Sequence, residues 1–335
     1  MHRIGFICFS LALCIVNLLS CSKETKSQDF QEKKENHKII VGFSQIGAES
    51  AWRIFNTKSM QQAAEQKNIK LLFSDAEQKQ ENQIKAIRSF IVYQVDVIIF
   101  TPIVQDGWDN VLQEAKDAGI PVIVCDRKIK TKDDGLYAGY IGTDTIEEGR
   151  KAAMFLKRKF KNKDAHYSIL ELRGTDGSSA SEDRIKGFRE VIDKDPRFSV
   201  IYSESGDFMR SRGQEIARTI LNENGNRLCI DGKKIDIIFS ANDGMTLGFL
   251  EELEKHGIKT GKSITVVTVD AQQEAVDKLK EGKINCIVEC NPNLGSPAME
   301  LAEMLAAGKT IPRSTIIDEQ VFTEFDSKEI SERGY

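Results

Sequence analysis

Nine short runs rich in β-branched and aliphatic residues, spaced by longer stretches of helical periodicity, restrict this chain to a narrow set of folds. The runs are KIIVGF, IKLLF, VDVIIF and IPVIVC, then HYSILEL, FSVIYS, IDIIFS, ITVVTV and INCIVE. Between them, segments such as 81–93 and 110–118 repeat apolar residues at helical spacing. Strands separated by helices form βαβ units, which demand a parallel sheet covered on both faces. Nine strands exceed one ordinary sheet, so the expected class is α/β, with two doubly wound parallel-sheet lobes joined by a hinge. Residues 38–140 and 291–312 are assigned to the N-terminal lobe, 141–290 and 313–335 to the C-terminal lobe. The Gly139–Gly142 stretch marks the first crossover. The late run STIIDEQVF reads as one further strand.

Before the first run, residues 4–19 are almost wholly apolar and end at Ser20-Cys21. This length suits a secretory leader and falls short of the roughly 20 residues of a membrane span. Ser20-Cys21 has the look of a lipoprotein processing site, with Cys21 as the acylated first residue. An ordinary cleaved leader that happens to end near a cysteine is the alternative. Residues 21–37, densely charged with a single aromatic, cannot bury enough surface to fold and read as a flexible tether.

The net charge of −4 over 335 residues, with no basic stripe, argues against nucleic acid as a partner. Zinc-type cysteine spacings are absent and only four histidines are present, so neither a metal nor a cofactor is expected. Cys286 and Cys290 share a strand-like run, which would hold them roughly 13 Å apart and unable to bridge. The phosphate loops GxxxxGK[ST] and GxGxxG and the hydrolase elbow GxSxG do not occur.

In open α/β sheets, ligands bind beyond the carboxyl ends of the strands. Those ends carry Glu49, Ser50, Trp52 and Arg53, then Asp126-Arg127, Arg184, Phe208, Asn242-Asp243, Asp270 and Glu289. Carboxylates, amides and guanidinium groups bind vicinal hydroxyls, and aromatic faces cover the apolar side of a sugar ring. Each residue also has a plainer role. Trp52 could anchor the core, as Trp108 is expected to do, Asn242 could cap a helix, and Asp126-Arg127 could be a strand-end ion pair. Paired acids such as Asp126 and Asp270 could instead run glycoside hydrolysis. Arg127 and Arg184 beside them would keep both ionised, whereas a glycosidase needs one neutral acid.

These features together resemble the periplasmic sugar-binding proteins related to the ribose-binding protein and the lactose-type repressors. The segments VGFSQIGAESAWR, DAEQKQENQIKAIRSF, PIVQDGWDNVLQEAKDAGIPV and SGDFMRSRG, with the final GY, are most similar to the galactofuranose-binding branch. The resemblance implies a type I periplasmic binding protein that closes on one monosaccharide and presents it to an ABC permease with its ATPase, as a monomer in the periplasm or cell envelope, held to a membrane through Cys21. It implies first-lobe sugar contacts at Glu49, Ser50, Ala51, Trp52, Arg53, Asp126 and Arg127. Second-lobe contacts fall on Arg184, Phe208, Asn242, Asp270 and Glu289. Two stretches depart from the family pattern: ECNPN around Glu289, and Ala51 in place of a glycine. A sensor that presents its closed form to a chemoreceptor or histidine kinase is the other reading of the same fold.

Overall fold

The computed structural model describes residues 38–162, 164–326 and 330–335. The expected leader, the tether and Cys21 lie outside the described residues. In chain order the first lobe builds β1 (Ile40–Gln45), α1 (Ala51–Gln66), β2 (Lys70–Asp75), α2 (Gln80–Val92), β3 (Val97–Phe100), α3 (Asp109–Asp117), β4 (Val122–Cys125) and β5 (Gly139–Gly142). The second lobe follows with α4 (Thr145–Lys159), β6 (Tyr167–Arg173), α5 (Ser179–Ile192), β7 (Phe198–Ser205) and α6 (Arg210–Glu223). A small ribbon of β8 (Cys229–Ile230) and β9 (Lys233–Lys234) precedes β10 (Ile237–Ser240), α7 (Asp243–Lys255), β11 (Thr265–Asp270), α8 (Gln273–Lys280) and β12 (Cys286–Glu289). The last elements are α9 (Gly295–Ala306), β13 (Ser314–Ile316) and β14 (Val321–Thr323).

The strands form two six-stranded sheets, ordered β13-β5-β4-β3-β1-β2 and β14-β12-β11-β10-β6-β7. Every pairing within them is parallel except β12 with β14. The central strands β3, β4, β10, β11 and β12 are buried along their whole length, as sheets covered on both faces require. On β10, Ile238 faces one core cluster while Ile237 and Phe239 face another, so helices cover both sides. Phe188 of α5 stacks on Phe239 with centroids 3.9 Å apart. Trp108 is fully buried in the first lobe and gives its indole N–H to the Val104 carbonyl at 2.8 Å, the core role expected of it.

The chain passes between the sheets three times, and two passages differ from the sequence reading. All of β5 belongs to the first sheet, so the first crossing follows Gly142, not residue 140. The run STIIDEQVF is two strands: β13 joins the first sheet beside β5, and β14 joins the second beside β12. The segment 317–320 between them is the third crossing, which the sequence reading placed after 312. The polar Asp318-Glu319-Gln320 separate two short apolar pieces, and nothing in either piece says which sheet it joins.

Candidate functional site

The loop after β1 leads into α1 through Ser50, whose extended backbone and hydroxyl cap the helix by accepting the Arg53 N–H at 3.2 Å. This start puts Glu49 and Arg53 one turn apart. Arg53 donates to Glu49 Oε1 from Nε and Nη2 at 3.3 and 3.2 Å, and from Nη2 to Asp126 Oδ2 at 2.6 Å. Arg127 donates to the same Glu49 oxygen at 2.7 Å and to the Ile103 carbonyl at 3.3 Å. Two acids and two guanidinium groups thus interlock behind the ends of β1 and β4. Burial would lower the Arg53 pKa, but Asp126 and Glu49 outweigh it and hold it above the ordinary value. For Arg127 burial wins, and its pKa is lowered. Glu49 Oε2, Arg53 Nη1 and Arg127 Nε are buried with no protein partner.

In the second lobe, Arg184 on α5 is 4 % exposed. It donates from Nε to Glu148 at 2.5 Å and from Nη1 to the Ala241 carbonyl at 2.8 Å, and stands 3.9 Å from Asp270. Two glycines make this possible: a Cβ on Gly149 would lie 2.0 Å from the Arg184 carbonyl, and one on Gly187 would lie 1.9 Å from the Ile146 carbonyl. Helices α4 and α5 therefore cross closely enough for Glu148 to reach Arg184. Phe208 sits at φ +60° against Gly174, where a Cβ would meet the ring at 2.0 Å. Its ring lies 5.1 Å from the Arg127 guanidinium and 5.9 Å from that of Arg184, so one phenyl spans both lobes. Asn242 caps α7, accepting the Met245 N–H at 3.0 Å and donating to the Phe208 carbonyl at 3.0 Å. Capping and lining the cavity coexist at this residue.

Between the lobes, Glu49, Ser50, Trp52, Arg53, Asp126, Arg127, Ala180, Arg184, Phe208, Asn242, Asp270 and Cys290 line a small cavity of about 20 Å³. From one lobe to the other, Gln105 donates its N–H to the Gly177 carbonyl at 2.9 Å and its side-chain amide to Glu182 at 2.5 Å. The Lys128 N–H donates to Ser179 Oγ at 2.6 Å.

Four sequence expectations change. Trp52 is both core anchor and wall: it packs in the second lobe's inner cluster and gives its indole N–H to the Cys290 carbonyl at 2.6 Å. Ala51 is solvent-exposed and does not line the cavity. Glu289 also lies elsewhere; it accepts the Gln320 N–H at 2.9 Å and pairs with Arg333. Neighbouring side chains on an extended strand point to opposite faces, so Cys290, and not the more polar Glu289, reaches the cavity. Last, Asp126 is held by Arg53 and not by Arg127, and Arg184 does not offset the burial of Asp270. Burial pushes the Asp270 pKa well up, Arg184 opposes, and nearby Asp243 adds to the rise.

Glu148, Cys290 and Glu319, each from or beside a different crossing, bring their ligating atoms within 4.8 Å of one another. Arg184 donates into Glu148, and Thr143 Oγ1 does so at 2.6 Å. Glu319 is pushed up to about 11, by burial first and by Glu148 second, with Arg184 and Lys151 opposing. An acid with a folded pKa above its unfolded one costs the fold nothing at low pH and increasingly more as pH rises toward the folded value. Glu319→Gln should therefore gain several degrees in melting temperature over the wild type at pH 9, and little at pH 4. A difference independent of pH in thermal melts would contradict this.

The profile of the periplasmic binding protein domain family matches residues 41–310. The chain belongs to that family. Its members bind solutes and are not enzymes, which disposes of the glycosidase reading that the Asp270 environment alone would leave open. A galactofuranose-binding protein of Escherichia coli (strain K12) is 39% identical over 274 residues, covering 82% of this chain and 84% of the relative. A Mycobacterium smegmatis structure in complex with β-D-fucofuranose superposes with a TM-score of 0.82 at 43% identity, over 87% of this chain and 93% of that one. The binding protein of the arabinose ABC transporter from Shewanella sp. ANA-3, bound to α- and β-L-arabinofuranose, gives 0.79 at 40% identity, with the same coverage. The family is extracytoplasmic, and among the described residues no helix is long and apolar enough to cross a membrane.

Proposed function

We propose that this protein is the solute-binding component of an ABC importer for a furanose sugar, galactofuranose or a close relative, which it captures by lobe closure and hands to the permease. The observation that carries the reading is the first-lobe cluster. Glu49 Oε2, Arg53 Nη1 and Arg127 Nε are buried and unpartnered, and their residues line the cavity. Buried polar groups need partners, and a ring bearing several hydroxyls can supply all three at once. Arg184 and Asp270 face the cavity from the other lobe, with Phe208 between the guanidinium groups. A ligand held by both lobes favours the closed state by its differential affinity for it. Three relatives at 39–43% identity are named for or bound to galactofuranose, fucofuranose and arabinofuranose, which supports a five-membered ring here.

On this reading the protein works as a monomer tethered to a membrane through acylated Cys21. A thermal-shift panel of D-galactose, L-arabinose, D-ribose and D-glucose tests the ligand class. Galactose and arabinose, whose furanose forms match the sugars of the relatives, should raise the melting temperature most. Stabilisation by glucose alone would exclude the reading. Radiolabelled palmitate should enter the wild type and not Cys21→Ala.

A further inference from the structure

Asp243 does not line the cavity, yet its carboxylate controls a residue that does. It is fully buried at the start of α7, directly after the cap Asn242. Its Oδ1 accepts from Thr268 Oγ1 at 2.8 Å, and its Oδ2 accepts the Gln272 N–H at 2.7 Å, with the Ala271 N–H also bonded to it. Those two amides belong to an unusual turn. Asp270 has φ +125° and Ala271 φ +73°, consecutive left-handed positions with no glycine to ease them. Such a conformation persists only where its surroundings enforce it. The carbonyl side of the turn is fixed separately, since Asp270 O accepts from the Cys290 N–H at 3.1 Å and from the Tyr335 hydroxyl at 3.2 Å. The amide side rests on Asp243.

We infer that Asp243 is a positioning residue for ligand binding: by holding the two amides beyond Asp270 it forces the turn that aims the Asp270 carboxylate into the cavity toward Arg184. Thr268 and Thr246 complete the support. Thr246 Oγ1 meets Thr268 Oγ1 at 2.7 Å and thereby directs the Thr268 hydroxyl hydrogen at Asp243. The second-lobe carboxylate is thus oriented by a relay from α7 through β11, with no member of the relay touching ligand. Without Asp243, the turn relaxes toward ordinary backbone angles and the Asp270 side chain swings out of line.

This rests on the proposed sugar-binding reading, and a double-mutant cycle separates the two. D-galactose is titrated into wild type, Asp243→Asn, Asp270→Ala and the double variant. Asp243→Asn keeps the side-chain shape, but its amide can no longer accept at both positions. It is expected to weaken affinity at least fivefold in the wild-type background and less than twofold in the Asp270→Ala background, because its effect passes through Asp270. A loss of equal size in both backgrounds would mean a merely structural role and overturn the inference. Asp243→Ala, at least twentyfold weaker by the same logic, repeats the cycle should the Asn variant fold poorly. Failure of the wild type to bind any sugar of the panel would instead overturn the sugar reading itself.

Discussion

Replacing Asp126 with Ala is expected to weaken sugar binding at least tenfold while leaving the protein folded. Asp126 is 6 % exposed, at φ +64°, and its carboxylate takes the shortest bond that Arg53 makes. Each hydrogen bond to a charged group contributes roughly 1.5–3 kcal/mol net, and tenfold in affinity corresponds to about 1.4 kcal/mol. On the proposed function, loss of the carboxylate removes one ligand contact, and it also frees Arg53 to swing toward Glu49. The fold survives because Arg53 keeps Glu49 as a counter-ion. Calorimetric titration of the variant beside the wild type measures the loss. Unchanged affinity would remove Asp126 from the site.

Arg184→Ala should do more damage, to stability as well as affinity. Glu148 is wholly buried, and Arg184 is the cation that pairs with it. Breaking a buried pair from one side costs about 3–5 kcal/mol, because the remaining charge stays buried without compensation. Asp270 would lose a positive group that opposes its burial. We expect a melting temperature well below wild type and no measurable sugar binding. A rescue of stability, but not of affinity, is expected when Glu148→Gln is added, since the neutral amide no longer needs a counter-ion. If the double variant melts as low as Arg184→Ala, the pair is not the source of the loss.

Much of this arrangement was legible in the sequence, for reasons that are physical. Buried parallel strands read as unbroken aliphatic runs, so VIIF, VIVC and TVVTV announce themselves, and polar residues directly after them lie at a sheet's ligand-binding end. That rule picks out Asp126, Arg127 and Asp270, and all three line the cavity. What remained hidden depends on contacts between segments far apart in the chain. Glu148 reaches Arg184 only because two glycines let α4 and α5 approach, and nothing local to Glu148 signals it. The choice between Glu289 and Cys290 turned on which face each strand position presents, and favouring the polar residue gave the wrong one. Trp52 showed that anchor and wall need not be alternatives, since one indole can fill a core with one edge and line a cavity with the other. The division of STIIDEQVF between two sheets is likewise a matter of pairing partners.

The proposed function turns on selection of a five-membered sugar ring by this cleft. It is tested most directly by calorimetric titration with two sugars that cannot interconvert: 5-deoxy-D-galactose, which closes only as a furanose, and 4-deoxy-D-galactose, which closes only as a pyranose. The furanose-only sugar is predicted to bind with one site per chain, at least tenfold tighter than the pyranose-only one. Equal affinity, or tighter binding of the pyranose-only sugar, would contradict it.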